Sequence, residues 1–251
     1  EIEEGGHIPF FAAKSLQELG MKTMRVARLV DRTTADAWVV VAASREVLEW
    51  FVARDIRVFA IAGRRQNLPI AGTGPDKVPL YAEAARRLIA LGHRRISLLC
   101  FRNLRLPTPS SSSRAFLGAL QAAGITTGAF NLPDWDESQD GFLRMLDSLF
   151  GSTPPTGLLI DEPFLFHAAF HYLAGRRLRV PQDVSLVCTD PDPTFAWCEP
   201  SVAHFGWDYR PVVRRITRWI DKVARGKIDT RQSVTKAAFV DGGTMGEAPG
   251  C

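Results

Sequence analysis

No apolar run in this sequence is long enough to cross a bilayer. The longest, Ala37 to Ala43, falls far short of the ~18–20 residues that a membrane helix needs, so no membrane partner is expected. Cysteine is sparse and scattered, at Cys100, Cys188, Cys198 and Cys251, with no C-x-x-C pair and no short, dense frame. Such cysteines read as free thiols of a reducing, cytoplasmic compartment. Dense basic blocks are missing too. The net charge of +4, from 31 Lys and Arg against 27 Asp and Glu, is spread over doublets such as Arg64-Arg65, Arg86-Arg87 and Arg214-Arg215, which read as solvated helix ends and surface ion pairs. The first residues, Glu1-Ile2-Glu3-Glu4, carry acid where a secretory signal would carry Lys or Arg, so no export is expected. Walker, G-x-S-x-G and H-E-x-x-H sequences are absent, which removes the commonest NTPase and hydrolase chemistries. No catalytic residue, cofactor or metal is expected.

What is present is a globular composition, 46% apolar over 251 residues, enough for one large domain or two lobes of roughly 100–150 residues. Short continuous apolar runs recur at Ala37–Ala42, Val58–Ile61, Ile96–Cys100, Gly157–Ile160 and Val184–Cys188, as strands covered on both faces do. Amphipathic stretches alternate with them at 45–53, 78–91, 114–123, 141–150, 164–174 and 211–224. Alternation of this kind predicts a parallel α/β architecture. Pro75 and Asp76 open one helix and Gly92 closes it, in the positions that favour those residues. The Pro- and Ser-rich stretch from Leu106 to Ser113 reads as a loop before the helix at Arg114.

Three local patterns are weak. Gly72-Thr73-Gly74 lacks the third glycine of a dinucleotide loop, and Pro75 removes an N–H that a phosphate would use. His167 and His171 lie four apart with no acid between them and read as ordinary helix-face histidines. Asp190-Pro191-Asp192-Pro193 reads as a stiff loop, although a sugar-cleaving carboxylate pair has the same residue types. Position is more informative, because ligands of parallel α/β sheets bind beyond the carboxyl ends of the strands. The residues there are Ser44-Arg45, Gly63-Arg64, Phe101-Arg102, Asp161-Glu162 and Asp190, with Trp135 and Trp197 nearby in the chain. Carboxylates and guanidinium groups bind vicinal hydroxyls, and indole faces pack on sugar rings. The inventory suits a small polyhydroxylated ligand.

These residues resemble the effector-binding core of the LacI/GalR family of bacterial transcription regulators. The matching segments run in order: Ala35-Asp36-Ala37-Trp38-Val39-Val40, Leu88 to Ile96 with its Gly92-His93, Arg114 to Leu120, Val180 to Val187, Pro200-Ser201-Val202 and Phe239 to Thr244. The resemblance implies the type I periplasmic-binding-protein fold: two Rossmann-like lobes with parallel sheets flanked by helices, joined by three crossing segments, with the ligand in the interlobe cleft. Crossings are expected near Phe101-Arg102, His204-Phe205-Gly206 and Asp229-Thr230-Arg231. That gives an N-terminal lobe of 1–101 plus 207–228 and a C-terminal lobe of 102–206 plus 229–251. Carried over residue by residue, the resemblance makes Arg114, Asp161 and Asp190 ligand-binding and Trp135 an aromatic platform, beside Ser44, Arg64 and Phe101.

It further implies a cytoplasmic homodimer joined through helices near 45–53 and 78–91, whose sugar-like effector modulates operator binding by a DNA-binding head outside this chain. The same fold serves solute-binding proteins of sugar transporters, a rival that the unpaired cysteines disfavour. An enzyme using Asp161 and Asp190 is a second rival, and it would carry a carboxyl of strongly raised pKa. Several features depart from the family. Its G-Y/F-D-D becomes Cys188-Thr189-Asp190-Pro191, and its first-lobe Asp falls at Gly63. The chain starts at what resembles the end of the first helix, without the family's first strand, and continues into a strand expected at Ile8–Ala12. No helix-turn-helix is recognisable.

Overall fold

A computed structural model describes residues 2–250; Cys251, one of the expected free thiols, lies outside the described residues. The chain divides into two compact units, residues 1–76 with 208–236, and residues 77–207 with 237–251.

In the first unit, α1 (Thr23–Asp31), β1 (Trp38–Val41), α2 (Arg45–Ala53), β2 (Val58–Ile61) and β3 (Ala71–Thr73) precede the long helix α8 (Arg210–Ala224). The strands form a parallel sheet in the order β1-β2-β3. Residues alternate faces along a strand. Val40, Val58 and Ala60 therefore join Val47, Leu48 and Phe51 of α2 on one side, while Phe59 and Ala71 meet Val212, Ile216 and Trp219 of α8 on the other. The free side of β3 is covered by the stretch after α8, through parallel bridges Gly72 to Gln232 and Pro75 to Thr235. Asp229 fixes the start of that stretch, because Arg215, Lys222 and Arg231 all pair with its buried carboxylate. Hydrogen bonds from those side chains hold that carboxyl far below the usual range. The expected strand at Ile8–Ala12 is irregular backbone, with Ile8, Phe10 and Phe11 exposed.

The second unit holds α3 (Val78–Ala90), β4 (Ile96–Leu99), α4 (Arg102–Arg105), α5 (Ser111–Ala122), α6 (Gln139–Ser152), β5 (Gly157–Ile160), α7 (Pro163–Gly175), β6 (Ser185–Cys188), a 3-10 turn (Pro193–Trp197), β7 (Ala203–Trp207) and β8 (Ala237–Val240). The sheet order is β4-β5-β6-β7-β8, parallel except for β8, which pairs antiparallel to β7. Leu158, Ile160, Leu186 and Cys188 pack with α6 and α7 on one face. Ile96, Leu98, Leu159, Val187 and Phe205 pack with α3 and α5 on the other. Every residue of β4, β5 and β6 is buried, as strands covered on both faces must be. The alternation legible in the sequence is thus the α/β fold expected.

The expected division is corrected at its first boundary. Residues 77–101 belong to the second unit, because β4 pairs with β5 from Ile96–Gly157 to Leu99–Ile160 and α3 packs into the same core as α5. Residues 229–236 belong to the first unit, where they line β3. The helix expected to open at Arg114 starts at Ser111, since the Ser110 hydroxyl caps it by accepting from the Ser113 N–H at 3.2 Å. The segment expected as a crossing at 204–206 lies in strand β7, and Gly72-Thr73, weighed as part of a dinucleotide loop, lies in strand β3.

Candidate functional site

Helices that connect parallel strands run back against them, so the start of α3 lies at the same edge of the sheet as the ends of β5 and β6. Lys77, the residue capping α3, places its ammonium 2.7 and 3.0 Å from the two carboxylate oxygens of Asp190, just past β6. One turn on, the Tyr81 hydroxyl donates to Thr189 Oγ1 at 3.3 Å. Thr189 Oγ1 lies 2.9 Å from Asp161 Oδ1 and 3.2 Å from Asp190 Oδ2. Its single proton serves one carboxylate at a time. The Phe101 N–H, at the end of β4, also bonds to the Asp161 carboxylate. Three strand ends and one helix start therefore converge on a single polar cluster.

Charge in this cluster is unbalanced. Asp161, Glu162 and Asp190 face one cation, Lys77. Burial raises the Asp161 carboxyl to about 6 against the pull of Lys77. Burial, and then the neighbouring Asp161 and Asp190 charges, raise Glu162 to about 7. Burial alone would lower the Lys77 pKa, but the Asp190 and Asp161 charges reverse this and leave it raised. Tyr81 is pushed well up by burial and the same two aspartates, so it is a hydroxyl donor at physiological pH. Glu162 sits at φ +67, an uncommon conformation for a residue with a Cβ.

Asp161→Asn is expected to stabilise the ligand-free protein. The unfolded carboxyl ionises near its ordinary 3.8 and the folded one near 6, so the folded state holds the extra proton between those values and stability falls as pH rises through that window. Removing the ionisable group should gain on the order of 2 kcal/mol at about pH 8 and nearly nothing below about pH 4, read from urea unfolding at both. Equal gains at both pH values would refute an electrostatic origin.

The other expected site residues separate into two groups. Phe101 is half-buried at the same edge, its ring 5.9 Å from that of Phe164, which is 55% exposed. Trp135 is corrected from a platform to a core residue. It is 8% exposed, its indole N–H donates to Cys100 O at 3.0 Å, and its ring packs on Phe142 and Phe101 at 5.2 and 5.6 Å. The buried Arg105, bonded to Asp134 and to Cys100 O, closes this corner. Arg114 is exposed, and its guanidinium donates to Pro109 O and Ser111 Oγ beside its own helix. Because α5 begins three residues earlier than expected, Arg114 no longer heads the helix, and the structure does not bring it into the carboxylate cluster.

In the first unit, Ser44 is buried and its hydroxyl is used to cap α2 by accepting from the Val47 N–H. Arg64 is half-buried past β2, with its N–H on Ala43 O at 3.0 Å. Gly63, where the family's Asp would fall, has φ +71, and a Cβ there would sit 2.6 Å from Ala43 O. The backbone therefore has no room for that aspartate. Lys77, Tyr81 and Thr189 were missed by sequence reasoning. Their only signal was the i, i+4 spacing of Lys77 and Tyr81 at a helix start.

His167 bonds to Thr194 Oγ1 at 3.2 Å and His171 is exposed, while Asp192 caps the 3-10 turn. Among the described residues no group of three or more His, Cys, Asp or Glu side chains could hold a metal, and no helix is long and apolar enough to cross a membrane.

The buried, mixed-charge cluster lies at the carboxyl edge of a parallel sheet, where ligands of α/β folds bind. Residues 85–245 match the periplasmic binding protein-like domain, and the chain belongs to that family. No curated protein matches it by sequence. Several solved structures share its fold. A transcription regulator from Lactobacillus plantarum superposes with a TM-score of 0.73 at 16% identity, over 98% of this chain and 93% of that one. The transcriptional regulator CelR in complex with cellobiose gives 0.71 at 18%, over 90% of this chain and 70% of that one. A LacI family regulator from Enterococcus faecium with bound ribose gives 0.68 at 15%, over 84% and 80%. The raised carboxyls thus lie in a member of a binding-protein-like family.

Proposed function

We propose that this chain is the effector-binding core of a LacI-type transcription regulator of the cytoplasm. Its ligand is a small carbohydrate-like molecule held at the carboxyl edge of the second unit by Asp190, Asp161 and Thr189, beside Phe101. Two copies associate, and a DNA-binding head outside this chain reads the operator. A ligand that prefers one arrangement of the core shifts its population, and the DNA affinity follows by linkage.

The observation that carries this reading is the convergence of Lys77, Thr189, Asp161 and Asp190 on one strand edge in a member of a binding-domain family. Solved relatives of the same fold hold cellobiose and ribose. Carboxylates accept from paired sugar hydroxyls, and the raised carboxyls of Asp161 and Glu162, buried beside other negative charge, support a site that gains from added donors.

Thermal-shift titration with a panel of neutral and amino monosaccharides and disaccharides tests it. At least one is expected to raise Tm in the wild type. Asp190→Asn, which keeps the shape but loses the charge, is expected to weaken that ligand by about 10-fold or more, the loss of a charge-assisted bond. If no carbohydrate raises Tm, the reading fails. Consumption of the ligand during the titration would instead reveal an enzyme.

A further inference from the structure

The charge count of the cluster says more about the ligand than its position does. Lys77 gives both of its short hydrogen bonds to Asp190, so Asp190 is the carboxylate already matched by a cation. Asp161, 5% exposed, has only neutral donors, Thr189 and the Phe101 N–H. Glu162 faces both aspartates and has no ion pair of its own among the described residues. The groups around these two carboxylates are Lys77 and Tyr81 from α3, Cys100 after β4, and Thr189 and Asp190 after β6. Tyr81 and Cys100 are both held neutral, mainly by burial. Nothing among them supplies a second positive charge.

An independent feature lies against the same edge. Phe101 follows β4 and donates its N–H to Asp161, and its ring is neighboured by the exposed ring of Phe164 in the first turn of α7. Aromatic faces beside carboxylates make a receptor for ammonium groups, because the ring quadrupole and the anions attract the same charge. A neutral sugar would use the carboxylates as acceptors but leave their excess charge buried more deeply.

We propose that the ligand of this site is an amino sugar whose ammonium group docks on Asp161 and Glu162 against the faces of Phe101 and Phe164. The inference rests on the reading of this edge as a carbohydrate site and adds the cationic group. It fixes the sign of a proton linkage. A cation stabilises the ionised carboxylates, so binding expels the protons they hold near neutrality and tightens as pH rises. A neutral sugar brings only hydroxyl donors and no charge to these carboxylates, so its binding depends on pH less steeply than that of the amine.

Matched probes separate the two: glucose with glucosamine, galactose with galactosamine, and mannose with mannosamine. Each is titrated calorimetrically into the purified chain at about pH 7 in phosphate and in Tris, whose different ionisation enthalpies report proton release or uptake. One amino sugar is expected to bind at least about 10-fold more tightly than its neutral partner, with proton release, and to lose most of that preference at about pH 5. Glu162→Gln and Phe164→Ala are each expected to reduce the preference several-fold, weakening the amino sugar more than its neutral partner. A neutral sugar binding as tightly as its amine overturns the inference and leaves the carbohydrate reading standing. Failure of every amino sugar while other carbohydrates bind has the same meaning, and failure of all carbohydrates overturns both.

Discussion

Lys77→Ala is expected to destabilise the protein by about 3–5 kcal/mol at about pH 8, the loss that follows when one partner of a buried ion pair is removed. The Lys77 and Asp190 side chains are only 20% and 17% exposed, so water repays little of the lost attraction. The substitution also removes the ammonium 5.3 Å above the Trp207 ring. It leaves Asp161, Glu162 and Asp190 facing one another without a cation. Protonation relieves such repulsion, and Glu162 and Asp161 already take up protons near 7 and 6. The deficit should therefore shrink to roughly half or less at about pH 5. Urea unfolding of wild type, Lys77→Ala and Lys77→Met at both pH values reads this directly. A deficit that does not change with pH, and that Met restores, would assign Lys77 a packing role through its aliphatic stem.

Trp135→Ala is expected to cost about 3–5 kcal/mol, the usual consequence of emptying a large aromatic site in a packed core. The indole lies between Phe101 and Phe142 in the core that also contains Leu99, Leu146 and Ile160. Trp135→Phe should recover most of this. It keeps a ring in the site and loses chiefly the hydrogen bond to Cys100 O, worth about 1 kcal/mol, and that carbonyl still accepts from Arg105 Nε at 2.9 Å. The measurement separates the two roles considered for this residue. A platform exposed to ligand would give an alanine variant of nearly normal stability and lost binding, whereas a core residue gives an unstable one. Unfolding midpoints within about 1 kcal/mol of wild type would return Trp135 to the ligand.

The placement of Asp161 and Asp190 just past strand ends was legible because a strand's carboxyl end can be read from an apolar run followed by a polar residue. Gly157-Leu158-Leu159-Ile160 and Ser185-Leu186-Val187-Cys188 are such runs, and the parallel pairing of β5 with β6 sets their ends side by side. Lys77 and Tyr81 were not legible. They lie far along the chain from Asp190, and only the packing of α3 on the sheet brings them to it. Arg114 illustrates the opposite error. Its sequence context fits the family's arginine, yet one hydroxyl, Ser110 Oγ, moves the helix start, and the guanidinium is held by Pro109 O and Ser111. Trp135 fails for a similar reason, since a ring beside a strand end can serve a ligand or fill the core, and Phe142 and Phe101 take it into the core.

The amino-acid sequence by itself determined the α/β class, most strand and helix positions, and the strand ends where ligands collect. Each of these follows from local hydrophobic period and end-capping chemistry, which a single segment carries within itself. Tertiary structure alone decided that the chain changes unit at Asp76 and not after residue 101, that β7, β8 and β3 are strands, and that one lysine must serve three carboxylates. These are outcomes of pairing and burial between segments distant in sequence, and the strength of a charge depends on how much water the whole fold excludes from it.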